Sequence, residues 1–297
     1  MIIKATSPEI KRKELADALK SGKILQFPGA YNPMVAMLIE QTGFDGVYIS
    51  GAVMANSLGL PDIGLTTLTE VSYTASQIAK VTSLPSIMDI DTGFGETMNV
   101  VRTIKEVEYL GLAGCHIEDQ VNPKRCGHLD NKSIVPMDEM IKKVNAAAKA
   151  KIDSNFLLIA RTDAKATEGL QKAIDRAKAY VDAGADMIFP EAMNDESDFE
   201  AFRKAIKVPL LANMTEFGKS KLLTKDQLQN LGYNMVIYPV TTQRLAMKAV
   251  EDGLHIIKNL GTQESLIDKM QTRKRLYEVI DYENYNTFDG DIFNFKI

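Results

Sequence analysis

Eight short apolar runs rich in β-branched residues recur along the chain, with segments of helical periodicity between them. The runs are 24–27, 46–50, 85–89, 114–118, 156–161, 187–191, 209–213 and 235–238. Between the third and the fourth, Met98, Val101, Ile104 and Val107 fall three apart, on one side of a helix. Several helical segments close on a glycine just before the next run, as in Thr42-Gly43-Phe44, Leu110-Gly111-Leu112, Ala183-Gly184-Ala185 and Leu231-Gly232-Tyr233. That is a helix C-terminus feeding a short αβ loop. The repeat has no fixed residue period, which excludes a solenoid. Eight βα units over about 250 residues predict an α/β fold of the (β/α)8 TIM-barrel type. A doubly wound open sheet is the alternative, and no Gly-x-Gly-x-x-Gly follows the first run to support it.

The ends of the chain extend this plan. Residues 7–21 predict an extra N-terminal helix, with Thr6 or Ser7 as cap and Pro8 near the first helical position. Beyond the eighth run, helical stretches are predicted at 241–258 and 264–280, followed by an acidic, aromatic tail from Asp281. With no linker between units, residues 1–297 form a single barrel domain, of which 262–297 are a C-terminal helical extension. Lys plus Arg number 35 against 39 Asp plus Glu, a net charge of -4. That argues against a nucleic-acid partner. No run approaches the roughly 20 apolar residues of a membrane span, and the N-terminal apolar stretch is too short for a signal peptide. Two cysteines, Cys115 and Cys126, give no disulfide framework and suit a reducing compartment, so the chain is read as cytoplasmic.

Chemistry in such a barrel sits at the C-terminal ends of the strands. Here those ends carry Ser50-Gly51-Ala52, Asp89-Ile90-Asp91, His116-Ile117-Glu118-Asp119, Arg161-Thr162-Asp163, Pro190-Glu191 and Asn213-Met214-Thr215. Buried charges need partners or a metal. Asp89 and Asp91, two apart, are expected on one face, where two carboxylates repel unless a cation lies between them. Hard oxygen ligands favour Mg²⁺, with Mn²⁺ as substitute, and Glu118 is placed to hold a metal-bound water. An Asp capping the next helix is the alternative. In Lys124-Arg125-Cys126-Gly127-His128, a thiol among cations has a depressed pKa suited to proton transfer; a basic surface loop is the plainer reading. Arg161, Arg244 and Arg273 are candidate carboxylate clamps, although Arg273 in Arg273-Lys274-Arg275 also fits a solvated helix face. Cys115, His255 and the 14 methionines read as structural.

The loop Lys124–His128, together with Leu58-Gly59-Leu60-Pro61-Asp62, Asp89-Ile90-Asp91-Thr92-Gly93-Phe94-Gly95, His116-Ile117-Glu118-Asp119-Gln120 and Met270-Gln271-Thr272-Arg273, resembles the isocitrate lyase and phosphoenolpyruvate mutase superfamily over roughly residues 7–285. Within it the string is most similar to the 2-methylisocitrate lyases. Isocitrate lyases proper are longer and typically carry Lys at the place of Arg125; phosphoenolpyruvate mutases lack the Cys-Gly-His loop. The resemblance implies Mg²⁺-dependent retro-aldol cleavage of (2S,3R)-2-methylisocitrate to pyruvate and succinate, in the methylcitrate cycle of propionate catabolism. It implies Asp89 and Asp91 as metal ligands. Cys126 and Gly127 would form the catalytic lid, with Gly127 and His128 also touching the substrate. Ser50, Gly51, Ala52, Arg161, Glu191, Asn213, Met214, Thr215, Arg244 and Arg273 would be substrate contacts. Tyr48 is a candidate base by position, and Lys124, Arg161 and Arg244 are candidate charge partners of the leaving dianion. It also implies a homotetramer, a dimer of dimers that exchanges C-terminal helices. Ala52 departs from the family's usual second glycine, and Asn32-Pro33 also differs. The second reading is a lyase or decarboxylase acting on another 2-hydroxy or 2-oxo diacid, such as oxaloacetate or 2,3-dimethylmalate. The Cys126 loop argues against the decarboxylase, and intact Asp89, Asp91 and Cys126 argue against a non-catalytic diacid-binding barrel.

Overall fold

The eight runs form eight parallel strands in the structure, a computed structural model that describes residues 6–125, 127 and 132–294. They are β1 (Leu25–Pro28), β2 (Val47–Ile49), β3 (Ser86–Asp89), β4 (Gly114–Glu118), β5 (Leu157–Thr162), β6 (Met187–Pro190), β7 (Leu211–Asn213) and β8 (Met235–Tyr238). Two arcs make up the ring: β2-β3-β4-β5-β6 and β1-β8-β7. Single parallel bridges close them, Gly29 on Tyr48 and Ile188 on Leu210. The Ala30 N–H donates to the Tyr48 carbonyl at 2.9 Å at one seam, and the Ile188 N–H to the Pro209 carbonyl at 3.1 Å at the other. This is the closed barrel that the sequence predicts.

Strand alternation separates two cores. Val47, Ile49, Met88, Cys115, Ile117, Leu158, Ala160 and Ile188 face outward against the helices. Leu25, Phe27, Tyr48, Ile87, Leu157, Ile159, Met187, Phe189, Leu211, Met235 and Ile237 fill the barrel interior. Continuing the inward series by two residues reaches Asp89 from Ile87, Arg161 from Ile159, Glu191 from Phe189 and Asn213 from Leu211. The inward face thus turns from apolar to charged at the C-terminal rim.

The helix Pro8–Leu19 plugs the opposite end, with Leu15 and Leu19 in the interior cluster. Ser7 caps it, accepting from the Ile10 N–H, and Pro8 occupies its first turn. Lys11 and Arg12 are buried beneath the barrel. The Lys11 ammonium donates to the carbonyls of Ala79 at 2.8 Å and Thr82 at 2.6 Å. Arg12 donates to the Leu112 carbonyl at 3.0 Å, to the Glu108 carbonyl, and to Asp153 at 3.4 Å. Both cations therefore donate to carbonyls at and just beyond the C-terminal ends of neighbouring helices, where the helix dipole favours positive charge.

The C-terminal extension differs in detail from its sequence reading. The 264–280 stretch divides into a 3-10 helix, Glu264–Lys269, and an α-helix, Arg273–Val279. Extended backbone at Met270 and a Thr272 cap, which accepts from the Arg275 N–H, make the break. The tail forms a further helix, Tyr282–Phe293, with Tyr282 stacked on Tyr277 at 4.4 Å. Few contacts hold the extension to its own chain: Leu266 and Val279 are buried, and Gln41 bonds the Val279 carbonyl and Arg275. The helix Thr241–Leu260 and the tail expose Leu245, Leu254, Leu260, Phe288, Ile292 and Phe293. Among the described residues no helix is long and apolar enough to cross a membrane.

Removing Arg12 takes a donor from the buried Leu112 carbonyl and the counter-charge from the Glu108 and Asp153 carboxylates together. Arg12→Ala is expected to cost about 3–5 kcal/mol of unfolding free energy, read from the urea midpoint at constant slope. A loss under about 1 kcal/mol would mean that the plug does not hold the barrel.

Candidate active site

Arg161, at the end of β5, is the hub of the charged rim. Its Nε donates to Asp163 Oδ2 at 2.9 Å and its Nη2 to Asp163 Oδ1 at 3.2 Å. Its Nη1 lies 3.1 Å from Glu118 and 3.4 Å from Glu191. The guanidinium plane stands over the Phe189 ring at 5.3 Å. Asp163 is fixed from behind, its N–H donating to Asp119 Oδ1 at 2.9 Å. The Thr162 and Tyr180 hydroxyls each donate to Asp119 Oδ2 at 2.8 Å. Burial pushes the Glu118 carboxyl well up despite Arg161, and neither of its oxygens has a hydrogen-bond donor.

The carboxylate pair at the end of β3 meets as the sequence predicts, by a different geometry. The strand stops at Asp89, and Asp91 lies beyond it with φ at 48°, a left-handed conformation that Asp tolerates better than most residues. The turn folds back on itself, the Asp91 N–H donating to Asp89 Oδ1 at 2.9 Å. Gly51 shows that the two acids converge. A Cβ there would lie 2.8 Å from Asp89 Oδ2 and 3.0 Å from Asp91 Oδ1, so only glycine leaves this space open. The Gly51 N–H donates to Asp89 Oδ2 at 3.2 Å. Burial lifts Asp91 to about 6, and Lys124, 2.8 Å from its Oδ1, opposes the shift. The same Lys124 ammonium bonds Asp62. Asp89 is held below the usual carboxylate range: burial alone would raise it, but His116, Lys124 and Arg161 outweigh that.

Tyr48 points into the barrel beneath this pair. Its hydroxyl is 2.7 Å from His116 Nε2, and the two rings are stacked. Burial drives His116 down to about 4 and the Tyr48 phenol well up. A neutral imidazole and a protonated phenol place the donor on Tyr48, leaving the His116 Nδ1 proton facing Asp89 Oδ1, 3.6 Å away. Tyr48 therefore holds its proton in this arrangement, and its candidacy as base has no support from the geometry.

A cavity of about 260 Å³ opens between these groups, lined by Tyr48, Ser50, Ala52, Asp62, Asp89, Lys124, Gly127, Arg161, Glu191, Asn213, Thr215 and Arg244, among others. Ser50 precedes the short helix Gly51–Ser57 and makes no capping bond. The Asn213 amide donates toward Glu191 at 3.3 Å, and Glu191 Oε1 also accepts from the Ala192 N–H at 2.7 Å. Arg244 reaches in from the first turn of Thr241–Leu260, bonded to Glu216 and stacked over Phe217. Two expected contacts are not brought here. Met214 turns into the core, where its sulfur accepts from the Leu223 N–H. Arg273 is exposed at the head of its helix and does not line its own chain's cavity. Cys126 and His128 lie outside the described residues.

Asp62, His116, Asp163, Asp119 and Lys132 were given no role by their sequence positions, yet all hold site residues. His116, Asp119 and Asp163 had a local signal, as polar residues at the ends of apolar runs; Lys132 had none.

A family model described as Phosphoenolpyruvate phosphomutase matches residues 15–258. The chain is 55% identical over 292 residues to "Probable 2-methylisocitrate lyase 2" of Corynebacterium glutamicum, covering 98% of this chain and 95% of the relative. It is 47% identical to the 2-methylisocitrate lyase of Aeropyrum pernix, covering 94% and 90%. Among solved structures, phosphonopyruvate hydrolase in complex with oxalate and Mg²⁺ superposes with a TM-score of 0.86 at 31% identity, over 94% of this chain and 98% of that one. Barrel, rim chemistry and sequence agree: the chain belongs to the phosphoenolpyruvate mutase and isocitrate lyase superfamily.

Proposed function

We propose that the chain is a Mg²⁺-dependent carbon–carbon lyase that cleaves (2S,3R)-2-methylisocitrate to pyruvate and succinate, in the cytoplasm, as a step of propionate catabolism through the methylcitrate cycle. The observation that carries the reading is the convergence of Asp89 and Asp91 beside Gly51, opposite Lys124 and Arg161. The reading is also supported by relatives that bear the name 2-methylisocitrate lyase.

The residues present fit a divalent cation. Asp89 Oδ2 and Asp91 Oδ1 are buried and converge on the space that a Cβ at Gly51 would fill, with the Lys124 ammonium 2.8 Å from Asp91 Oδ1. In the described ion pairs of the cluster, Lys124 is shared by Asp62 and Asp91, and Arg161 by Glu118 and Asp163, with Lys132 also on Asp163, so these acids outnumber the cations they pair with. Asp89 and Asp91 would hold the ion, and Glu118 a water on it. Bound there, Mg²⁺ or Mn²⁺ offsets the acidic excess and lowers the pKa of the substrate hydroxyl. Backbone groups at Ser50, Gly51 and Ala52, with Asn213 and Thr215, bind the ends of the substrate. Once a carboxylate of the rim takes the hydroxyl proton, the oxygen's electron pair forms the pyruvate carbonyl, the C2–C3 bond breaks and its electron pair passes to the succinate fragment. Lys124, Arg161 and Arg244 stabilise that charge, and Cys126 delivers the proton to carbon.

The assembly proposed is a homotetramer, a dimer of dimers with exchanged C-terminal helices. It is supported by the exposed apolar faces of the extension and by a largely apolar groove of about 1110 Å³ along Thr241–Leu260, lined by Phe217, Leu245, Val250 and Leu254. Exchange would also give Arg273 a cavity to serve. Light scattering at micromolar concentration is expected to give four times the chain mass, and a monomer would refute it.

Product analysis tests the chemistry. Pyruvate and succinate are expected from 2-methylisocitrate, with isocitrate about 10–200-fold slower and turnover abolished by EDTA. Cys126→Ser is expected to fold and to lose about 10²–10⁴-fold in kcat. Isocitrate cleaved faster, or full activity in EDTA, would overturn the assignment.

The metal-free carboxylate pair has its own signature. Asp91 titrates at about 6 when folded and near 3.8 when unfolded, so its contribution to stability falls as pH rises between those values. Asp91→Asn removes that loss. In EDTA at pH 7 it is expected to be more stable than the wild type by up to about 3 kcal/mol, with the gain gone below pH 4. An unchanged or lower melting temperature across the whole range would contradict it.

A further inference from the structure

We propose that Lys132 is a positioning residue: its ammonium ties the backbone of Gly127 to Asp163, the carboxylate that grips Arg161, and so seats the loop on the substrate clamp. The kinetic part of this inference rests on the function proposed above.

Lys132 is buried although it is a lysine in a polar loop. Its Nζ is 2.7 Å from Asp163 Oδ1 and also donates to the Gly127 carbonyl. Long cationic side chains are seldom buried unless paired, and both partners here belong to the site. Asp163 takes Arg161 through Nε and Nη2, so one carboxylate is shared by the clamp and by the loop's anchor. Asp119 holds Asp163 from behind, which makes it a fixed post for both.

A second, independent contact shows where this places the loop. A Cβ on Gly127 would come to 2.5 Å from Arg161 Nη2 and 2.7 Å from Glu191 Cδ, so its backbone lies directly on the guanidinium and the acid. The residues just before it are pinned by other means. Gln120 exchanges hydrogen bonds with the Arg125 main chain at 2.7 and 2.9 Å, and Lys124 is set between Asp62 and Asp91. Lys132 thus ties the residue that follows Cys126 in sequence, as Gln120 ties the one before it. A shift of about 1 Å in a reacting group can cost 10²-fold in rate.

The test uses the intact wild type, Lys132→Met, Lys132→Gln and Lys132→Arg, each checked for folding by thermal melting. Trypsin cleavage after Arg125 is followed by mass spectrometry, and turnover is measured on 2-methylisocitrate. Expected for Lys132→Met is a melting temperature within a few degrees of wild type, cleavage at least about tenfold faster, and kcat at least about tenfold lower. Lys132→Arg, which keeps the charge and two donors, should recover part of both. Unchanged cleavage, or unchanged kcat, in a folded Lys132→Met would overturn the proposal. So would failure of both Lys132→Met and Lys132→Gln to fold, since Lys132 would then serve the fold and not the loop. If the wild type releases no pyruvate, the proposed function fails, and the cleavage rates alone decide the tie.

Discussion

The guanidinium of Arg161 is the point on which the rim balances. It answers Asp163, Glu118 and Glu191 from three different strand ends, in a space almost closed to water. Taken singly, each acid would be too costly to keep ionised there. Held around one planar, always-charged group, they define a fixed frame. The apolar interior below and the outward-facing core around the strands keep the backbone that carries these groups in register.

The acids of the rim are costly to bury. Asp91 sits in a left-handed turn with a lifted pKa, and Glu118 lacks a donor on either oxygen. Ala192, next to Glu191, has φ at 55° as well. Such features persist where surrounding structure over-determines them, and they cluster at functional sites. The barrel supplies that determination through its plug and its packed interior.

The fold was legible in the sequence because strand burial in a barrel writes itself as short apolar runs, and the helices between them as a 3.6-residue period. All eight strands fall within a residue or so of their runs. The rim was legible too, since charges at the ends of apolar runs stand out. What escaped were partners set by long-range packing: Asp62 meets Lys124 across 62 positions, and Tyr48 meets His116 across 68. No local pattern encodes such pairings. The Asp89–Asp91 proximity was read correctly from an alternation that ends at Asp89; a turn, not the pleat, completes it. At the C-terminus, the Thr272 cap was overlooked, and the aromatic tail disguised its helix.

The two seams of the ring carry a consequence for whatever binds in it. Tyr48, Asp89, Glu118, Arg161 and Glu191 ride on the five-stranded arc, whereas Asn213 and Arg244 belong to the three-stranded one and its outgoing helix. Each junction has one bridge where a full ladder would have several. A molecule that reaches from Arg161 to Arg244 would span the gap between the arcs. Its occupancy would act as a cross-link of the ring itself, so ligand affinity and the integrity of the barrel would draw on the same free energy.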